Sequence, residues 1–134
     1  MHNEKADRIN ILVVEDDVFM QSVLKGFLGK NYNVWVCSDG IDALTFIQEG
    51  NIPGLIISDL NTPKLNGLDF MIQLKSGAFF EHIPVVILSS EDQSEIRIKC
   101  FEAGADDYVV KPFNPRELEA RLKVILKRNR ISNL

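Results

Sequence analysis

Five short apolar runs alternate with five longer segments of helical period, and that strict alternation leaves the chain few folds to choose from. The runs at residues 9–14, 34–37, 54–58, 85–89 and 108–110 are rich in β-branched and apolar side chains and read as strands buried on both faces. Between them, apolar stripes recur at helical spacing: Met20, Val23, Leu24, Phe27 and Leu28, then Ala43, Leu44 and Ile47, then Leu68, Met71 and Leu74. The pattern continues with Ile96, Cys100 and Ala103 and ends with Leu118, Leu122 and Ile125. Strand-helix units in this order demand right-handed crossovers, and hence an α/β, five-stranded parallel sheet, doubly wound, with helices on both faces.

With 134 residues, 46% of them hydrophobic and 25% charged, the chain suits one globular core. The expected boundaries are a flexible N-terminal segment at 1–8, a domain at 9–129 and a C-terminal tail at 130–134. No apolar stretch approaches the roughly 20 residues of a membrane span, and the polar start lacks the apolar centre of a secretory signal. A cytoplasmic location without membrane contact is expected. The net charge of -4 disfavours phosphate backbones, so no direct nucleic-acid binding is expected of this domain. Cys37 and Cys100 lack metal-type spacing and read as packing residues; His2 and His82 read as surface residues.

Ligands of open parallel sheets bind beyond the carboxyl ends of the strands. There the sequence concentrates its chemistry: Glu15, Asp16 and Asp17 after the first strand, Asp59 after the third, Ser89 and Ser90 at the fourth, Lys111 after the fifth. Two unit charges about 4 Å apart repel by roughly 4 kcal/mol at an effective dielectric of about 20, so clustered acids call for a cation. An oxygen-only set of carboxylates suits Mg²⁺. Asp16 and Asp17, adjacent at a helix start, are the expected metal holders, although a helix-capping role for Asp17 is the plain alternative. Asp59 stands alone after its strand and is the expected nucleophile toward phosphorus, with Lys111 and Ser89 positioned to grip phosphoryl oxygens.

The segments "VVEDD", "SDLNTPKLNG", "PVVILSS" and "GADDYVVKPF", in this order and spacing, resemble the receiver domain of two-component response regulators over about residues 9–128. The resemblance implies a single flavodoxin-like domain of strand order 2-1-3-4-5. It implies that Asp59 accepts a phosphoryl group from a sensor histidine kinase or a histidine phosphotransfer protein. Asp16, Asp17, Asp59 and the carbonyl of Asn61 would hold Mg²⁺, with Ser89 and Lys111 on the phosphoryl group. Tyr108 matches the switch aromatic, turning inward as Ser89 is drawn toward phosphate, and Pro112 would follow Lys111 through a cis peptide bond. Thr62 departs from the family, which usually carries Met there.

A narrower resemblance to the winged-helix transcription-factor branch pairs Arg97 with Glu117, Asp107 with Arg121 and Asp106 with Arg128 across a phosphorylation-dependent homodimer. The rival reading is a phosphohydrolase of the haloacid-dehalogenase type, because "DLNT" resembles its nucleophile motif. Asn61 in place of the general-acid Asp, and the motif's position on the third strand, oppose it. An interaction module that is never phosphorylated is the other alternative.

Overall fold

The computed structural model describes residues 7–132. The expected N-terminal segment lies mostly outside the described residues, as do His2 and residues 133–134. Five strands, β1 (Asn10–Val14), β2 (Asn33–Cys37), β3 (Leu55–Asp59), β4 (Val85–Ser89) and β5 (Asp107–Val110), form one parallel sheet in the order β2-β1-β3-β4-β5. The helices are α1 (Val18–Leu28), α2 (Gly40–Gln48), α3 (Gly67–Lys75), α4 (Ser94–Glu102) and α5 (Pro115–Ser132). The last of these runs three residues past the expected domain boundary at 129.

Alternating strand residues feed two separate cores, because successive side chains in a strand point to opposite faces. Leu12, Val14, Ile56, Val85 and Ile87 pack against α2, α3 and α4 through Ala43, Ile47, Phe70, Met71, Leu74 and Cys100. Ile11, Val13, Leu55, Ile57, Val86 and Leu88 pack against α1 and α5 through Leu24, Leu28, Leu118, Leu122 and Ile125. The central strands are therefore covered on both sides as their continuous apolar runs require. Strand β2 departs from that expectation, since every residue in it is half-buried. It is an edge strand with one neighbour, and Trp35 relies on an edge-to-face contact with Phe46, ring centroids 5.2 Å apart, for cover.

Polar side chains start most of the helices. Asp17, Asp39 and Asn66 each accept a backbone N–H from the first turn, at 3.0, 2.8 and 2.8 Å. Asn114 does the same for α5 through Arg116 N–H at 2.9 Å. Cys100 is buried and Cys37 half-buried, both free thiols, and burial, with Asp42 and Asp39 adding, pushes Cys37 up to about 11. Neither suits nucleophilic work. His82 is exposed, as its surroundings in the sequence suggested.

Gly26 lies in the exposed interior of α1 with open space where a Cβ would go. Gly26→Ala should therefore raise stability by about 0.5–1 kcal/mol, the helix-propensity difference, without touching the rest of the molecule. Urea denaturation checks it, through a higher midpoint at an unchanged slope.

Candidate functional site

The carboxyl edge of the sheet collects residues from every strand end that carried chemistry. Asp59, the last residue of β3, pairs in register with Leu88, one residue before Ser89. Ser89 pairs with Val110, and its carbonyl accepts the Lys111 backbone N–H at 2.8 Å. Glu15 leaves β1 with its N–H donated to the Cys37 carbonyl of β2 at 3.0 Å. Parallel pairing thus fixes the bases of these side chains before any of them interacts. The Lys111–Pro112 bond is cis, as the resemblance implied.

Lys111 is the cation of the site. Its Nζ lies 3.0 Å from Glu15 Oε1 and 3.5 Å from Asp59 Oδ1. Burial draws the Lys111 ammonium down, but the hydrogen bond to Glu15 and the attraction of Asp59 and Glu15 outweigh it, leaving the group above its ordinary range. Glu15 is only 2% exposed. Burial pushes its carboxyl up and Asp59 adds to the rise, while the Asp17 N–H and Lys111 pull against it.

The acid cluster lies one residue earlier than expected. Glu15, Asp16 and Asp59 each offer a carboxylate oxygen, and these atoms lie within 4.8 Å of one another. Asp17, the expected partner of Asp16, is instead the N-cap of α1, its Oδ1 taken by Phe19 N–H at 3.0 Å. Glu15, not counted among the expected metal holders, is further held by Asp17 N–H on Oε2 at 3.1 Å, and its carbonyl accepts Gln21 Nε2 at 2.6 Å. The available signal was the helix start: an Asp just before "VFMQ" has a capping task, which frees the two acids ahead of it. Three carboxylate oxygens this close together, from the ends of β1 and β3, fit a hard divalent ion such as Mg²⁺. Asn61 is exposed in the loop after β3, beside these donors in sequence.

Ser89 is fully buried and Tyr108 is 7% exposed. Tyr108 already lies inward, its hydroxyl donating to the Glu91 carbonyl at 2.6 Å, while Glu91 N–H donates to Ser89 Oγ at 3.0 Å. Burial raises the Tyr108 hydroxyl pKa, with Ser89 opposing. The hydroxyl therefore stays a donor at neutral pH.

The six charged residues expected at a dimer face are placed together less completely. Arg121 pairs with Asp107 at 3.0 Å and with Glu117 at 3.5 Å inside the same protomer. Arg97 pairs with Asp92 at 3.0 Å, and Asp106 accepts Val85 N–H at 2.8 Å. Arg128 lines a surface recess of about 330 Å³ with Asp106, Asp107 and Arg121. Ile98 and Phe101 on α4, and Val124 on α5, expose apolar surface in the same elements.

The family model described as the response regulator receiver domain matches residues 11–123. The DNA-binding response regulator MtrA of Mycolicibacterium paratuberculosis is 37% identical over 123 residues, 91% of this chain and 53% of that protein. Histidine kinase P4 of Formosa agariphila is 36% identical over 121 residues, 90% of this chain and 9% of that protein. The chain thus spans about half or less of the length of these curated relatives. Among solved structures, the receiver domain of a Francisella response regulator superposes with a TM-score of 0.82 at 32% identity, covering 90% of this chain and 98% of that one. No helix among the described residues is long and apolar enough to cross a membrane.

Neutralising one acid of the cluster should stabilise the metal-free protein, since Asp16 is the most exposed of the three and no ion pair holds it among the described residues. Asp16→Asn is expected to gain about 1 kcal/mol at low salt, the size of a pair repulsion screened by water. The gain should shrink with added salt. Denaturation in chelator at two ionic strengths measures both.

Proposed function

The chain belongs to the response regulator receiver-domain family, and on that premise we propose that Asp59 is its phosphoacceptor. As a receiver the domain serves two-component signalling and is not a metabolic enzyme. The donor is a phosphohistidine, carried by a sensor histidine kinase or a histidine phosphotransfer protein, and the work is cytoplasmic. The observation that carries the reading is the Lys111 ammonium set between Glu15 and Asp59, 3.0 and 3.5 Å from their oxygens. Nothing in a bland surface cluster requires a lysine to be half-buried there.

An oxygen of Asp59 forms a bond to phosphorus as the phosphorus–nitrogen bond of the phosphohistidine breaks. The electron pair returns to the imidazole, which takes up a proton. Glu15, Asp16, Asp59 and the Asn61 carbonyl would hold Mg²⁺. When bound, that ion supplies charge neutralisation for the acids and the phosphoryl oxygens. Lys111 moves its charge from Asp59 to a phosphoryl oxygen while Glu15 keeps it oriented. The Ser89 hydroxyl, already an acceptor from Glu91 N–H, also carries a proton that it can turn toward phosphate.

The phosphoryl group brings about -1.5 to -2 charge to the sheet edge. Drawing Ser89 toward it pulls Glu91, whose N–H rests on Ser89 Oγ and whose carbonyl holds Tyr108. That backbone link supports Ser89 and Tyr108 as the switch, with α4, β5 and α5 as the face that changes. The face is read as an isologous homodimer surface, with Ile98 and Phe101 supplying apolar area and the charges supplying register. Dimerisation through the expected pairs would require Arg121 to trade Asp107 of its own protomer for the partner's. Such an exchange nearly conserves charge pairing, so it costs little.

Asp59→Asn is expected to abolish labelling by acetyl phosphate with Mg²⁺ while leaving the circular dichroism spectrum intact. Intact-mass spectrometry reads one phosphate per wild-type chain; retained stoichiometric labelling of the variant would transfer the acceptor role elsewhere. Labelled wild-type protein should also sediment as a dimer, and Arg121→Ala should weaken that dimer by about fivefold, the worth of roughly 1 kcal/mol in exposed pairs. A labelled protein that stays monomeric at all concentrations would remove the dimer face.

A further inference from the structure

We infer that Thr62 is a positioning residue of the acceptor site, fastening the loop that carries Asn61 to a floor made by Gly40. The inference rests on the acceptor reading of Asp59 and extends it to a residue that touches neither phosphate nor metal. Thr62 is 5% exposed although it lies in the loop beside the site. Its Oγ1 donates to the Leu65 carbonyl at 2.8 Å, closing residues 62–65 into a tight ring. Lys64 inside that ring has φ +68°, a conformation that a non-glycine residue adopts only where its surroundings enforce it.

A second element packs against this ring. The Leu65 carbonyl that accepts from Thr62 also presses on Gly40, the first residue of α2: a Cβ at position 40 would come 2.5 Å from that oxygen and 2.9 Å from Leu65 Cβ. Gly40 is held in turn by Asp39, whose buried carboxylate caps α2 through Asp42 N–H at 2.8 Å. The same carboxylate lies 3.8 Å from Lys64 Nζ. At the other end of the loop, Gly67 abuts the Asp59 carbonyl so closely that no side chain fits, and its N–H donates to the Leu60 carbonyl at 2.8 Å. The loop is thus gripped at Leu65 by α2 and at Asp59 by α3, and the Thr62 hydroxyl is the tie between the first grip and the adjacent Asn61. A side chain without a hydroxyl at 62 leaves a part-buried carbonyl short of its donor and Asn61 free to shift. The Met usual at this position in the family could not make this tie.

The test compares Thr62→Val, Thr62→Ser and Gly40→Ala with wild type, using Gly26→Ala as a control that adds the same methyl to open space. Two quantities are read: Mg²⁺ affinity by calorimetry, and the rate of Asp59 labelling by acetyl phosphate as a function of Mg²⁺. Thr62→Val should weaken Mg²⁺ binding and raise the Mg²⁺ concentration for half-maximal labelling by about tenfold, the upper end of one lost hydrogen bond. Thr62→Ser should restore both to within about twofold, because it returns the hydroxyl. Gly40→Ala should act like Thr62→Val; if it does not fold, Leu65→Ala, which removes the side chain resting on Gly40, takes its place. A Thr62→Val protein that melts earlier but binds Mg²⁺ and labels like wild type would overturn the inference, leaving Thr62 a purely stabilising residue. Wild-type protein that neither binds Mg²⁺ nor labels would instead overturn the acceptor reading, and this inference with it.

Discussion

The shared lysine at the sheet edge is the interaction on which the site depends. A carboxylate as buried as Glu15 is costly without a partner, and breaking such a pair leaves an uncompensated charge inside the protein. Lys111 supplies the partner, and its main chain is fixed independently by the hydrogen bond to the Ser89 carbonyl. Because Glu15 holds the ammonium at 3.0 Å and Asp59 at 3.5 Å, the lysine is anchored on one acid and merely adjacent to the other. The acid it is adjacent to keeps an oxygen for chemistry. On the acceptor reading proposed for Asp59, the division of labour between the two carboxylates follows from which of them is buried.

That geometry is affordable only because the sheet is parallel and covered on both faces. All strands end on the same side, so groups from residues 15, 59, 89 and 111 converge without any long loop reaching across. The two cores on either side of the sheet pin the register, since a slip of one residue would exchange Leu12 and Val14 with Ile11 and Val13 between cores of different shape. Repulsion within the acid cluster is then borne by a scaffold that has no alternative register to escape into. Stability given up at the site is a common feature of functional clusters.

Architecture was legible because it rests on repeated signals: five apolar runs, five helical stripes, and turn residues between them. Strand order beyond simple alternation came with the family resemblance, and hydropathy alone would not have supplied it. Which of the adjacent acids joins Asp16 and Asp59 was not legible, because adjacent carboxylates look alike in one dimension. What separates Glu15 from Asp17 is that the first still points over the sheet edge, while the second faces the open N–H groups of α1. Charges at the α4, β5 and α5 face were harder still. Opposite signs at Arg121 and Asp107 satisfy a pairing within one protomer and between two equally well, and the sequence holds no information on which is realised. Half-burial of β2 is likewise a property of its place at the edge, which a Val- and Trp-containing run does not announce.

The inward Tyr108 bears on how a receiver of this kind changes state. Its hydroxyl bond to the Glu91 carbonyl and the Glu91 N–H bond to Ser89 use the two ends of a single residue's backbone. Any displacement of Ser89 is therefore felt at Tyr108 through one short segment. Because Tyr108 is buried and its hydroxyl remains protonated, moving it outward would strand the Glu91 carbonyl and expose the ring, so the inward arrangement is favoured by burial as well as by the hydrogen bond. On the proposed reading, a phosphoryl group acting on Ser89 need not create this state. It has only to raise the occupancy of an arrangement the side chains already stabilise, which a differential interaction of a few kcal/mol accomplishes.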